Sequence, residues 1–234
     1  MTVQMKFDQV RGALLDLVFP PRCIGCGAEG EFLCEPCRRL LPTLEPPFCE
    51  RCGVPVVSER LCQNCLNTEI AIDGIRSSFL HLGLAREAVH CLKYNNLKVL
   101  AWPLAELMAT HFKANPLPVD IVAAVPSHPR RIRRRGYNQA DLLASELSCA
   151  IKLPVSRGTL ARLRNTKSQV SLGASERRNN VKGAFQCKDE IFRNKSVLLI
   201  DDVCTTGATL NACAIALKEA GSAAVWGLTF SREC

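Results

Sequence analysis

The spacing of hydrophobic positions divides the chain into unlike stretches. Over residues 1–19, Phe7, Val10, Leu14, Leu15, Leu17 and Val18 recur at helical intervals and stop at Pro20 and Pro21, which predicts an amphipathic N-terminal helix. From 20 to 68 cysteines dominate, in a segment too small to build a hydrophobic core alone. Beyond it, 72–80 reads as a strand, and 84–94 and 101–112 read as helices, with Pro103 tolerated in the first turn of the second. Strands and helices then alternate: strand 120–125, helix 139–150, strand 196–200, helix 208–220 and a closing strand 223–230. Short apolar runs alternating with helices predict an α/β unit over 70–234, a mostly parallel sheet with helices on both faces.

Composition narrows the picture. With 234 residues, 47% hydrophobic and 22% charged, the chain can bury a proper core plus a small appendage. Its longest charge-free stretch, 203–217, contains Thr, Gly and Asn and falls short of the roughly 20 apolar residues a bilayer span needs, so no membrane span is expected. Lys6, Asp8, Arg11 and Asp16 interrupt what would be the apolar region of a signal peptide, so the expected location is cytoplasmic. A net charge of +8 suggests an anionic partner. The charge is clustered: Arg130, Arg131, Arg133, Arg134 and Arg135 form one run, and between 157 and 182 the basic residues meet a single acid, Glu176.

Eight of the 14 cysteines form C-x-x-C pairs: Cys23 with Cys26, Cys34 with Cys37, Cys49 with Cys52, and Cys62 with Cys65. Two thiolates on a tight turn grip one side of a tetrahedral ion and a second pair completes the site, so four pairs predict two zinc ions. Gly25, Gly27 and Gly53 sit where the backbone must curl to aim amides at the sulfurs. Disulfides would suit a secreted domain instead. Sequential use puts Cys23, Cys26, Cys34 and Cys37 on one ion and Cys49, Cys52, Cys62 and Cys65 on the other; an interleaved arrangement would swap the middle pairs. We take the sequential one as the expectation. Four thiolates leave no open position, so both zincs read as structural, and the metal supplies the segment's folding energy. The other cysteines, Cys91, Cys149, Cys187, Cys204, Cys213 and Cys234, lack metal-like spacing and read mostly as small core residues.

The candidate binding chemistry is concentrated in 197–209, where a Val-Leu-Leu-Ile strand delivers Asp201 and Asp202, followed by Val203, Cys204, Thr205, Thr206, Gly207, Ala208 and Thr209 at a helix start. In open α/β sheets ligands bind beyond the carboxyl ends of strands, where a helix N-terminus offers unpaired amides to phosphate. Thr205, Thr206 and Thr209 add hydroxyl donors, Gly207 lets the backbone close in, and adjacent carboxylates suit a ribose diol. The G-x-x-x-x-G-K-[ST] string of nucleoside-triphosphate loops is absent. The segment resembles the phosphoribosyl pyrophosphate (PRPP) motif of the type I phosphoribosyltransferases. That resemblance implies Asp201 and Asp202 as the catalytic pair on the ribose 2′ and 3′ hydroxyls, with residues 203–209 around the 5′-phosphate of magnesium-bound PRPP. Val125-Pro126-Ser127-His128-Pro129-Arg130-Arg131 resembles the pyrophosphate loop, with His128, Arg130 and Arg131 as anion partners. Residues 162–169 resemble the lid that closes over PRPP, with Arg164 and Lys167 as contacts; a lid shields an oxocarbenium-like ribosyl centre from water. Cys204 is either a thiol of lowered pKa near the helix N-terminus, making the site redox-sensitive, or a small side chain facing the core.

The order of parts resembles the ComF family of competence-associated proteins, which join a double zinc ribbon to a phosphoribosyltransferase domain. The strings carrying it are Leu92-Lys93-Tyr94, the run from Val125 to Gln139, Gln169, Glu176-Arg177, Asn180-Val181, Gly183-Ala184-Phe185 and the phosphate motif. The family implies displacement of pyrophosphate from PRPP by a nitrogen nucleophile, and handling of single-stranded DNA in natural transformation. Arg133, Arg134, Arg135, Lys167, Arg177 and Arg178 would neutralise phosphates, Tyr137 would offer a stacking face, and the ribbons would dock competence or helicase proteins. The alternatives are a salvage-type phosphoribosyltransferase and a non-catalytic PRPP sensor. Neither 72–96 nor the C-terminus spells a reader for a purine or pyrimidine, so the acceptor stays open.

Overall fold

The computed structural model describes residues 20–68, 70–164, 181, 183–187 and 189–234. The N-terminal helix expected at 1–19 lies outside them. Five parallel strands form the central sheet: β1 (Gly74–Leu80), β2 (Ile121–Ala124), β3 (Val155–Ser156), β6 (Ser196–Cys204) and β7 (Ala224–Arg232), in the spatial order β1-β7-β6-β2-β3. Between them in the chain, β4 (Leu160–Arg162) and β5 (Phe185–Cys187) make a separate antiparallel pair. The helices are α1 (Glu35–Arg39), α2 (Gln63–Leu66), α3 (Gly83–Tyr94), α4 (Ala101–Ala114), α5 (Pro129–Arg135), α6 (Gln139–Ile151) and α7 (Ala208–Glu219).

β6 takes the middle of the sheet because it is apolar on both faces. Leu198 and Ile200 pack into one core with α3, α4 and α6, whereas Val197 and Leu199 pack into the other with α7 and Phe192. A strand alternating between two cores needs helices on both sides of the sheet. The apolar run predicts that β6 ends at residue 200, yet it continues to Cys204, held on one side by β7 with Asp201 opposite Thr229 and Cys204 opposite Arg232. On its other side, pairing with β2 stops at Ala124 and Ile200. The acids therefore sit in a strand with one edge released. From β2 the chain moves outward to β3, and from β6 it moves the other way to β7, so the crevice between the carboxyl ends of β2 and β6 is the switch point at which such sheets bind ligands.

The cysteine-rich segment is packed onto this sheet. Cys23, Leu33, Cys37 and Leu41 share a core with Phe79, Ala85 and Val89, and Arg38 reaches Glu106 of α4 at 3.1 Å. Farther along, the Ile75 amide donates to Arg51 O at 2.8 Å, and Arg76 donates to Glu50 O at 2.9 Å. Gly53 has φ +74°, and a Cβ there would stand 2.5 Å from Ile75 O, so only glycine lets this turn lie against β1. Of the other cysteines, Cys91, Cys204 and Cys213 are buried as expected, but Cys149 and Cys234 are exposed. No helix among the described residues is long and apolar enough to cross a membrane.

Candidate functional site

The cysteines gather into two quartets, Cys23, Cys26, Cys34, Cys37 and Cys49, Cys52, Cys62, Cys65, with the sulfurs of each within 4.8 Å of one another. Grouping is sequential, and the interleaved arrangement is excluded. Sulfur separations of 3.6 Å (Cys26 to Cys34) and 3.7 Å (Cys52 to Cys62) approach the edge of about 3.8 Å that follows from metal–sulfur bonds near 2.3 Å in a tetrahedron. The amides of Gly25 and Cys34 each donate to Cys23 Sγ at 3.4 Å. Both quartets fit structural zinc, and neither leaves a position for water or substrate.

A cavity of about 650 Å³ opens at the carboxyl ends of β1, β7, β6 and β2. Its floor is Asp201 and Asp202. Asp202 is 3% exposed and pairs with Lys93 Nζ at 2.9 Å; Lys93 is supplied by the last turn of α3. Asp201 accepts the Asp202 amide at 2.9 Å. Burial, and after it the neighbouring Asp202 charge, push the Asp201 carboxyl up to about 8, against the opposing pull of Lys93. Of the two acids, Asp201 is thus the one that holds a proton more readily than an exposed aspartate. Arg86, Arg131, Arg135, Arg162 and Arg232 stand around the two acids, so the walls present cations above a carboxylate floor. Such a site can hold a ligand with hydroxyls at one end and anionic groups at the other.

The structure separates the residues singled out from the sequence. Asp201, Asp202, Val203, Thr205, Thr209 and Arg131 line this cavity. Thr206, Gly207 and Ala208 line a smaller one of about 270 Å³ on the other side of the loop, against Cys52 and Cys65. Gly207 has φ +75°, and a Cβ on it would fall 2.8 Å from Ile75 Cδ1. Cys204 is 2% exposed, receives an Arg232 hydrogen bond at 3.0 Å and has its thiol pKa raised by burial. This favours packing over the redox alternative: Cys204 is a buried core side chain and is not among the residues lining the cavity. His128 caps α5, its Nδ1 accepting from the Arg130 amide at 3.2 Å, and neither residue is among those lining the cavity. Partial desolvation, followed by the charges of Arg130 and Arg162, lowers the His128 pKa. Arg164 is also absent from the cavity lining, and Lys167, Arg177 and Arg178 lie outside the described residues. Arg133 and Arg134 are exposed on α5. Tyr137, expected to offer a stacking face, is instead buried at 8% exposure, with its hydroxyl donating to Leu92 O and Lys98 over its ring at 4.9 Å. Its place directly after the arginine run suggests exposure, but the chain turns inward at Gly136.

Several wall residues escape sequence reasoning. Arg232, 3% exposed, arrives at the end of β7, and His81, whose Nδ1 is 2.8 Å from Ser231 Oγ, follows β1. Burial lowers the His81 pKa. Arg86, His90 and Tyr94 come from α3. The one available signal was the Leu92-Lys93-Tyr94 string.

Comparison with known proteins gives a consistent picture. The double zinc ribbon domain family model matches residues 14–66, and the phosphoribosyl transferase domain family model matches residues 132–227. Competence protein F of Haemophilus influenzae is 33% identical over 225 residues, covering 88% of this chain and 96% of its own length. The DNA utilization protein YhgH of Escherichia coli (strain K12) is 30% identical over 200 residues, covering 82% and 87%. Competence protein ComFC of Bacillus subtilis is 27% identical over 201 residues, covering 83% and 81%.

Proposed function

This chain belongs to the ComF family, in which a double zinc ribbon precedes a phosphoribosyltransferase domain, and on that premise we propose that it binds PRPP with magnesium and handles single-stranded DNA in the cytoplasm. The observation that carries the reading is the pair Asp201 and Asp202 at the released end of a central parallel strand, beneath a cavity walled by arginines. In this assignment the two acids accept from the ribose hydroxyls, and ligand binding draws Asp201 into its ionised form. Thr205, Thr209 and the start of α7 take the 5′-phosphate, where the helix dipole favours an anion. Arg131 takes the pyrophosphate.

The printed names of the relatives, a competence protein and a DNA utilization protein, support the nucleic-acid half of the proposal, as does the +8 net charge. Docking of competence or helicase proteins on the ribbons belongs to the same reading. Calorimetric titration of PRPP with magnesium tests the first half, and pyrophosphate release over a panel of bases, with and without single-stranded DNA, tests turnover. Saturable binding is the expected result; no heat at any PRPP concentration would refute the assignment. Release with a free base alone would make this a salvage enzyme, and binding without release would make it a PRPP sensor.

A further inference from the structure

One wall of the cavity has a chemistry that the PRPP assignment leaves unused. Leu82 at the N-cap of α3 and Arg86, His90 and Tyr94 within it recur every four residues and all line the cavity, while Ala85, Ala88, Cys91 and Leu92 are buried away from it. Arg86, His90 and Tyr94 are exposed. Tyr94 is 59% exposed, yet its ring does not hang free: the His90 ring lies 5.0 Å away at 44°, and the Arg135 guanidinium stands 5.4 Å from its centroid. Arg135 is itself held by Gln139. An exposed ring kept in place by a guanidinium and an imidazole, on a concave wall, is a preformed platform for a flat ligand carrying negative charge.

The platform is next to the floor but distinct from it. Neighbouring helical residues diverge by about 100°, so Lys93 reaches down to Asp202 at 2.9 Å while Tyr94 stands at the rim. We propose that this wall is a subsite for one nucleotide of a single strand, with the base stacked on Tyr94 and its phosphate facing Arg86 and Arg135. The inference rests on the reading above, that the protein handles single-stranded DNA, and adds the place where the strand meets the PRPP cavity. Because α3 supplies both Lys93 and Tyr94, strand and PRPP would occupy adjoining parts of one cavity.

The test is fluorescence anisotropy of a short labelled oligothymidine on the full chain, paired with PRPP titration of the same samples. Loss of one stacked base should make Tyr94→Ala about 5- to 100-fold weaker for the oligonucleotide, with Tyr94→Phe close to wild type and PRPP affinity unchanged in both. Tyr94→Ala binding as well as wild type would overturn the subsite. So would an equal loss of PRPP affinity in Tyr94→Ala, which would place the ring in the PRPP site or in the fold. No oligonucleotide binding by wild type, with PRPP binding intact, would remove the subsite and keep the PRPP assignment. Tyr94-dependent oligonucleotide binding without any PRPP binding would do the reverse.

Discussion

The cysteine quartets and the carboxylate-floored cavity put reactive groups to opposite uses. Each quartet draws its ligands from one short stretch of chain and closes them around an ion, leaving nothing for a substrate. The cavity draws its groups from the ends of β1, β2, β6 and β7 and from α3 and α5, and leaves them open, with the Asp201 carboxyl pushed up by burial and Lys93 paired to Asp202. A closed site contributes to folding and an open one to binding. Damage to the first should therefore appear as lost structure, and damage to the second as lost affinity in an intact fold.

The largest expected effect is on the closed side. Metal analysis of protein purified under reducing conditions should give two zinc ions per chain, and chelation should destroy cooperative unfolding, since structural zinc contributes on the order of 10 kcal/mol per site. Full zinc loss with an unchanged melting temperature would erase the contrast between the two regions. Next comes the cavity floor. Replacing both acids, Asp201→Asn with Asp202→Asn, removes charged acceptors each worth about 1.5–3 kcal/mol, so PRPP affinity should fall by roughly 100-fold or more while the circular dichroism spectrum keeps its native form. Equal PRPP affinity in the double variant would take the acids out of the site.

The cysteine chemistry was legible in the sequence because ligand spacing is local: a knuckle needs only its own turn. The phosphate loop was legible for the same reason, being contiguous from Asp201 to Thr209. Its cavity was not, because Arg232 and His81 become neighbours of the acids only through strand register, and no local pattern announces that Cys204 pairs with Arg232. Tyr137 and Tyr94 show the same limit from the other side. Both follow basic or polar residues, yet Gly136, with φ +86°, turns one inward, while the end of α3 leaves the other at the rim.

A smaller effect sharpens the electrostatic side of the comparison. The Asp201 carboxyl titrates near 8 in the folded protein against 3.8 in the unfolded chain, so the folded state keeps a proton that the unfolded state has released. That contribution is fully present below about pH 4 and is lost as pH rises through about 8, with a slope of at most about 1.4 kcal/mol per pH unit. Asp201→Asn mimics the protonated form at every pH, so thermal melts should show the variant gaining on wild type between about pH 4 and about pH 8, with the difference levelling off above that. A constant difference would mean that Asp201 is ionised throughout. The smallest effect concerns the basic run. If three phosphates are contacted, single-strand affinity should fall with a log-log salt slope near about −2, and Arg133→Ala should flatten it by roughly 0.7; a slope of zero in wild type would exclude a phosphate-backbone contact.

Ile75 carries a consequence for how this architecture can be recombined. Its amide is tied to the knuckle at Arg51, its carbonyl blocks any side chain at Gly53, and its Cδ1 blocks any side chain at Gly207. One residue of β1 is thus moulded on one side by the second metal turn and on the other by the phosphate loop. A chimera that exchanges ribbons between relatives at the apparent boundary near residue 69 would pair a foreign knuckle with a native Ile75. The workable crossover lies after Leu80, so that β1 is inherited with the ribbon whose turn it was shaped to meet, and the phosphate loop becomes the surface to be refitted.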